Sequence, residues 1–313
     1  MSTNKEPHVT VIVTAYDPER FPDINEGVQS ILDGNYSERD VIVVVDGREE
    51  LGKRLRDRWE DKSAVSILVN ETNVGAASSR NRAVAKAEGE IVAFFDDDAV
   101  ADEDWLQELV RCYTEYDAVA AGGKMVPIWI AGHPQFLPPE FYWLIGVTYA
   151  GHPEEMTEVR NTFASNLSVK KSVFDEIGGF NSEIGPKGGS LLQSAETDLC
   201  GRIAEETGHG VLYNPDAEVG HKVYEFRTDP VFLLKRAFWQ GVSKRGMQVY
   251  SETELESESD FLKNLVTSAV PSRLKQLVRG ERLKNLQQLG FLLFATVSVG
   301  LGYVYGFSKF RNA

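Results

Sequence analysis

Three consecutive carboxylates, Asp96, Asp97 and Asp98, follow directly after the apolar run Ile91–Phe95. Five apolar residues rich in branched and aromatic types predict a strand that is buried on both faces of a parallel sheet. Carboxylates gathered at the open end of such a strand would repel one another and lose solvation, so a positive partner is expected there. A divalent metal ion is the first candidate, and a solvated acidic turn is the alternative.

The ninety residues around this stretch alternate between strand and helix patterns. Strands are predicted at 9–14, 41–45, 65–69 and 91–95, and helices at 21–32, 48–61 and 76–88. Such alternation with short joins is typical of an open parallel sheet flanked by helices. Ligands of these sheets bind beyond the carboxyl ends of the strands, which is where Asp17, Asp46 and the triplet are predicted to lie. We therefore expect one cleft, with a nucleotide as its occupant.

The helix predicted at 76–88 begins with an anion-binding pattern. Gly75 and the small residues after it permit close backbone approach, and the unpaired N–H groups of the first turn attract an anion. Arg80 and Arg82 lie within the first two turns, where positive charge works against the helix dipole. An anionic ligand would explain one of them, and pairing with a surface carboxylate is the alternative.

Four ordered segments, VTVIVTAYD at 9–17, VVVDG at 43–47, NVGAASSRNR at 73–82 and GEIVAFFDDD at 89–98, resemble the nucleotide-sugar-binding half of glycosyltransferase family 2. The resemblance implies an α/β fold of the GT-A type, with an open, mostly parallel nucleotide-sugar-binding sheet flanked by helices. It also implies a nucleotide sugar as donor, expected to be UDP-linked, and Mn²⁺ or Mg²⁺ as the metal. One departure is Gly47, where many members have a second Asp.

The same resemblance assigns roles to individual residues. Asp46 is expected at the uracil or ribose, Arg80 near the base or diphosphate, and Asp98 as the most direct metal ligand of the DXD triplet. The donor-binding set that it implies is Ala15, Tyr16, Asp17, Asp46, Arg80, Asp96 and Asp97, and the metal set is Asp96, Asp98 and His221. His221 follows a strand predicted at 211–215, and a surface position beside Glu218 and Glu225 is the alternative for it.

The segment 194–202, SAETDLCGR, supplies the expected catalytic base. Alignment on Leu199 puts Glu196 at the position where the family carries this base, and Asp198 is the second candidate. A carboxylate within hydrogen-bond reach of the attacking hydroxyl can remove its proton, which an inverting transfer requires. A helix-capping role is the alternative for Glu196. The Gln-x-x-Arg-Trp string of polymerising members is absent, so a single addition is expected.

Charge divides the chain into an acidic body and a basic end. The 313 residues carry a net charge of −14, whereas 261–313 contain eight Lys or Arg and one Glu. The acidic body argues against nucleic acid as a partner, and it is consistent with a halophilic source. Cys112 and Cys200 both fall in predicted helices without metal-ligand spacing, so we expect reduced core thiols in a cytosolic body.

The sequence predicts three parts: a GT-A domain at 1–250, an acidic linker at 251–260, and a membrane-associated end at 261–313. That end combines a basic amphipathic helix, interrupted by Pro271, with an uncharged run at 289–307 that is long enough to span a bilayer. Flanking basic residues predict that the body faces the cytoplasm at the cell membrane. A hairpin dipping into one leaflet is the alternative to a span.

A membrane-held body that uses a cytosolic donor implies a lipid-linked acceptor, a dolichyl or polyprenyl phosphate that carries a glycan. The acidic body with this tail is similar to haloarchaeal members that extend dolichol-phosphate-linked glycans for surface-layer N-glycosylation, particularly those adding a hexuronic acid. Other transferases of the same pathway are expected partners. The alternatives are a nucleotidyltransferase, disfavoured because no glycine-rich loop follows the first strand, and a non-catalytic, membrane-recruited sugar-binding scaffold.

Overall fold

A computed structural model of the chain describes residues 6–182, 195–250, 256–280 and 282–311. The described residues form two compact units. The first contains those within 1–126, 154–187 and 195–222, and the second those within 127–153 and 223–313.

The first unit is built on strands and short helices. Its strands are β1 (Val9–Ala15), β2 (Arg39–Val45), β3 (Val65–Val69), β4 (Ile91–Asp96), β5 (Ala99–Ala101), β6 (Ala120–Trp129), β7 (Thr157–Val159), β8 (Leu167–Lys170) and β9 (Val211–Val223). Its helices are α1 (Phe21–Asp33), α2 (Glu49–Trp59), α3 (Ala76–Val84), α4 (Trp105–Glu115), α5 (Lys171–Glu176) and α6 (Ala195–Thr207).

The described strands form one mixed sheet in the order β3-β2-β1-β4-β8-β6-β9-β5, with β7 paired to β9. The four strands β1 to β4 pair in parallel, which confirms the predicted nucleotide-binding half. Beyond β4 the pairing is antiparallel: β8 pairs with β4 and with β6, and β5 pairs with β9. The sheet thus changes direction at β4, the strand that carries the carboxylate triplet.

Aromatic packing fixes β4 from both of its faces. Phe94 packs against Phe174 and Phe180 at ring distances of 5.7 and 5.0 Å, and Phe95 packs against Trp105 at 5.1 Å. All five rings are buried. Burial of each contributes about 1.5–3 kcal/mol, so the end of β4 is held firmly.

The strand predicted at 211–215 is too short. Pro215 suggests a break because it lacks an N–H, but β9 continues through Val223 and Asn214 Oδ1 accepts a hydrogen bond from the Asp216 N–H. His221 consequently lies within a strand and not after one. Cys112 and Cys200 are buried free thiols in α4 and α6, as expected.

The second unit is helical. It contains a 3₁₀ segment at Pro139–Ile145 and four α-helices, α7 (Pro230–Tyr250), α8 (Glu256–Asn264), α9 (Val270–Arg279) and α10 (Arg282–Lys309). Residues 256–260, predicted as linker, instead begin α8, and 251–255 lie outside the described residues. Pro271 does not break the helical path: it lies in the first turn of α9, after a π-helical segment at Leu265–Ala269.

The helix α10 contains the uncharged run that the sequence analysis singled out. With 28 residues it is long and apolar enough to cross a membrane by length and composition. The glycines of this helix do not interrupt it.

Candidate active site

Three potential metal ligands meet at the end of β4. One ligand atom from each of Asp96, Asp98 and His221 lies within 4.8 Å of the others, and His221 Nε2 is 3.1 Å from Asp98 Oδ1. The strand register produces this contact, because β9 pairs His221 with Ala99, the residue after Asp98. The structure therefore brings together all three residues of the predicted metal set.

The residues of this cluster fit a divalent cation. Carboxylate oxygens suit Mn²⁺ and Mg²⁺, and an imidazole favours a transition metal such as Mn²⁺. Opposite ligands of such an ion are about 4.2 Å apart, so small side-chain rotations would close the cluster around it. His221 Nδ1 is also buried, with no hydrogen-bond partner among the described residues. A buried polar atom of this kind calls for a partner such as water or an ion.

Two arginines offset part of the negative charge. Arg80 Nη2 donates to Asp96 Oδ1 at 2.9 Å, and Arg20 Nη1 lies 3.9 Å from Asp98 Oδ2. Burial, followed by the charges of Asp98 and Asp96, raises the pKa of Asp97 from 3.8 to about 7. A cation in the cluster would oppose these effects and favour the ionised triplet.

A cavity of about 260 Å³ opens beside the cluster at the carboxyl ends of β1, β2 and β4. The N-terminus of α3 closes one side of it. The cavity is lined by Thr14, Ala15, Tyr16, Asp46, Asn73, Gly75, Ala76, Arg80, Asp96 and Asp97. Six of the seven residues predicted to bind the donor are in this lining, and Asp17 is the exception.

Asp46 organises the loop before α3. Its carboxylate accepts hydrogen bonds from the backbone N–H groups of Val74 and Gly75, both at 2.8 Å, and from Asn70 Nδ2 at 3.0 Å. Gly75 has a φ of 87°, a conformation that other residues rarely adopt. Asp46 thus shapes the cavity wall in addition to lining it.

At the mouth of the cavity, an exposed aromatic ring is paired with an arginine that the sequence analysis did not select. The Arg48 guanidinium lies 4.5 Å from the centre of the Tyr16 ring and donates to its hydroxyl at 2.5 Å. Asp17 accepts from the Glu19 N–H and caps a short 3₁₀ turn. The position of Arg48 directly after the Asp46-Gly47 pair was the available signal.

The two candidate arginines of α3 have different roles. Arg82 donates to Val69 O and to Asn70 Oδ1, so it supports the end of β3. Arg80 is buried, pairs with Asp96 and lies 5.5 Å from the Phe180 ring centre. Its Nε has no partner among the described residues. Of the two arginines, it is therefore Arg80 that lines the cavity.

The two candidate bases lie in the first turn of α6. Asp198 is paired with Arg202 at 2.9 Å, and Arg202 also donates to the carbonyl oxygens of Ile177 and Gly179. Glu196 makes no hydrogen bond or ion pair with any described residue and is partly exposed. Asp198 thus positions Arg202, which holds the 177–179 turn, whereas Glu196 makes no such contact with the described residues.

The sequence analysis also did not select Lys222 or Arg20 as residues of the site. Lys222 is buried, and its Nζ donates to Asp23 at 2.7 Å and Glu26 at 2.6 Å. Its backbone N–H donates to Asp98 O at 2.9 Å. These contacts join β9 to α1 and to the triplet, so they hold His221 in place. No local pattern could reveal these contacts, because the partners of Lys222 are all more than a hundred positions away from it in the sequence.

Residues 10–178 match the family model described as Glycosyl transferase family 2. The chain belongs to glycosyltransferase family 2. It is 42% identical over 299 residues to a glucosyl-dolichyl phosphate glucuronosyltransferase of Haloferax volcanii, an alignment that covers 95% of this chain and 96% of the relative. A second protein of that organism, the glycosyltransferase AglE, is 23% identical over 79% of this chain and 76% of its own length.

Solved glycosyltransferase structures share the fold. The mannosyltransferase PcManGT of Pyrobaculum calidifontis, solved in complex with GDP-Man and Mn²⁺, aligns with a TM-score of 0.61 at 18% identity and covers 95% of this chain and 88% of its own. S. aureus TarS 1–349 with UDP-GlcNAc aligns at 0.55 and 16% identity, over 97% and 91%. The predicted GT-A type fold is confirmed.

The metal cluster can be tested by Asp98→Asn, which keeps an oxygen ligand but removes its charge. We expect Mn²⁺ affinity to fall at least about tenfold, which corresponds to about 1.4 kcal/mol. The Mn²⁺ affinity is measured by electron paramagnetic resonance, which detects the unbound ion. Glu103→Gln is the matched control, because Glu103 is an exposed carboxylate of the same segment and lies outside the cluster. Equal Mn²⁺ affinity in the two variants would contradict the assignment.

Proposed function

We propose that the protein transfers glucuronic acid, or another hexuronic acid, from a UDP-linked donor to a glucosyl-dolichyl phosphate or a related lipid-linked glycan used in protein N-glycosylation. The observation that carries the proposal is the 42% identity to a glucosyl-dolichyl phosphate glucuronosyltransferase over 95% of this chain. That alignment extends well beyond residues 10–178, which match the family model.

The geometry of the cavity supports a nucleoside diphosphate donor. Arg80 and the start of α3 present positive charge and N–H groups beside Asp96. When bound, a divalent cation held by Asp96, Asp98 and His221 would neutralise the diphosphate and stabilise its departure. Among the solved neighbours, PcManGT was determined with GDP-Man and Mn²⁺.

Transfer with inversion requires one base. The acceptor hydroxyl oxygen attacks the anomeric carbon, its proton passes to the Glu196 carboxylate, and the bond to the diphosphate oxygen breaks with its electron pair leaving on the diphosphate. Glu196 has no competing partner among the described residues, whereas Asp198 is committed to Arg202. This contrast favours Glu196 as the catalytic base.

We further propose that the protein works at the cytoplasmic face of the cell membrane, together with other transferases of its pathway. A helix apolar enough to span a bilayer supports the membrane site, and so does the lipid-linked substrate named for the Haloferax relative. Cytosolic nucleotide sugars would then reach the cavity directly.

The substrate proposal is tested by incubating the purified full chain with Mn²⁺, glucosyl-dolichyl phosphate in detergent, and UDP-glucuronic acid, UDP-glucose or GDP-mannose. We expect product only, or at least about tenfold faster, with UDP-glucuronic acid, and loss of product after EDTA that is restored by Mn²⁺. Mass spectrometry of the lipid product measures this. Faster transfer of a neutral sugar would refute the hexuronic acid assignment, and full activity in EDTA would refute the metal role.

The catalytic base is tested by Glu196→Gln. General base catalysis is worth roughly 10²–10⁴-fold, so the transfer rate should fall by that factor while UDP affinity is retained. Glu205→Gln is the matched control, because Glu205 is an exposed carboxylate on the same helix. Undiminished turnover of the Glu196 variant would move the role to Asp198.

A further inference from the structure

The helix α10 is two-sided, although its composition resembles a membrane span. One face is buried along the whole length of the helix. The buried residues of this face are Asn285, Gln288, Phe291, Leu292, Ala295, Gly302 and Gly306. The opposite face exposes Leu286, Leu293, Phe294, Val297, Leu301 and Val304. A helix that crosses a bilayer alone would contact lipid on every side, so the covered face needs another explanation.

Polar contacts cover the first half of this face. Gln288 Nε2 donates to Gln135 O at 3.0 Å, and Gln288 Oε1 accepts from Arg273 Nε at 2.9 Å. Arg273 also forms a two-pronged ion pair with Glu140, at 2.9 and 2.7 Å. This network is buried and well paired, and breaking it would strand charged groups without partners. These hydrogen bonds therefore hold the start of α10 against Arg273 and Gln135.

Close backbone packing covers the second half. An added methyl group at Gly302 would overlap the Phe238 carbonyl oxygen, and one at Gly241 would overlap that of Val299. Gly306 lies against Arg245, and the Tyr303 hydroxyl donates to Gln248 Oε1 at 2.6 Å. α7 and α10 thus pack side by side as parallel helices.

The partner helix is unsuited to the bilayer interior. α7 carries Lys235, Arg236, Lys244 and Arg245, and Lys235 lies one turn before Phe238, beside the middle of the uncharged run 289–307. A span made by α10 would take these cations into hydrocarbon or strip α10 from its glycine contacts. If only the exposed face of α10 contacts lipid, the cations of α7 stay out of the hydrocarbon and the glycine contacts stay intact.

We propose that α10 lies in the plane of the membrane, with its exposed apolar face sunk into one leaflet of an anionic bilayer and without crossing it. Basic residues at both ends support this arrangement: Arg282 and Lys284 precede the uncharged run, and Lys309 and Arg311 follow it. Both ends then meet headgroups of the same leaflet, as in-plane amphipathic helices do. A span would place one basic pair on the far side, against the positive-inside tendency.

The inference refines the membrane association within the proposed function, but its test involves no sugar transfer and can fail independently. Single cysteines are introduced at positions that flank α10 in the sequence, Glu281→Cys just before the helix and Asn312→Cys three residues after it. The native Cys112 and Cys200 are buried and have pKa values raised by burial to about 11 and 12, so they react slowly.

Full-length protein is bound to preformed vesicles containing phosphatidylglycerol, isolated by flotation and treated with a membrane-impermeant maleimide. We expect both cysteines to be labelled from outside to at least about 80% of the level seen after detergent lysis, because an in-plane helix leaves both ends on one side. Protection of position 312 until lysis, with position 281 labelled, would overturn the proposal and establish a span.

The occupant of the exposed face is tested separately with Leu301→Gln, a change at an exposed position that leaves the covered face intact. We expect flotation with the vesicles to fall several-fold in comparison with Gln287→Asn, a polar exchange on the same helix. Flotation that is unchanged by Leu301→Gln, or absent from the unmodified protein, would overturn the proposal.

Discussion

The crowding of carboxylates at the end of β4 is the constraint on which the site depends. Asp96, Asp97 and Asp98 lie at the end of a strand whose aromatic residues are buried on both faces. The backbone there is fixed, so the three carboxylates cannot move apart. Arg80 and Arg20 offset part of the triplet's charge, and burial, followed by the charges of Asp98 and Asp96, raises the pKa of Asp97 to about 7. A site with excess negative charge and an imidazole at one side is suited to a cation and, through the cation, to a diphosphate.

The change of sheet direction at β4 creates the space for this chemistry. Parallel strands bring the loops after β1 and β2 and the start of α3 to one edge, where they line the cavity. The antiparallel pairing of β5 with β9 then returns His221 to the same point from more than a hundred residues away. Lys222, held by Asp23 and Glu26, keeps that strand in register. The donor edge and the metal cluster therefore share one scaffold.

Residues whose signal is local could be predicted from the sequence. The four parallel strands, the loop at Gly75 and the triplet follow from apolar runs and the residues that end them, and the GT-A fold followed from the ordered motifs. The length of β9 could not be predicted, because Pro215 indicates a break that the strand tolerates. The contacts of Arg20, Arg48 and Lys222 depend on long-range register, which leaves no local pattern. The two-sided character of α10 was hidden for the same reason: its composition is that of a span, and only its packing against α7 and its polar contacts with Arg273 and Gln135 distinguish its faces.

We infer that the carboxylate cluster binds the nucleotide diphosphate through a metal ion. Calorimetric titration of UDP into the full-length protein, once with saturating Mn²⁺ and once with EDTA, tests it most directly. If the cation joins Asp96, Asp98 and His221 to the diphosphate, UDP should bind at least about tenfold more tightly with Mn²⁺, and UDP should strengthen Mn²⁺ binding by the same factor. Equal UDP affinity under both conditions would contradict the claim.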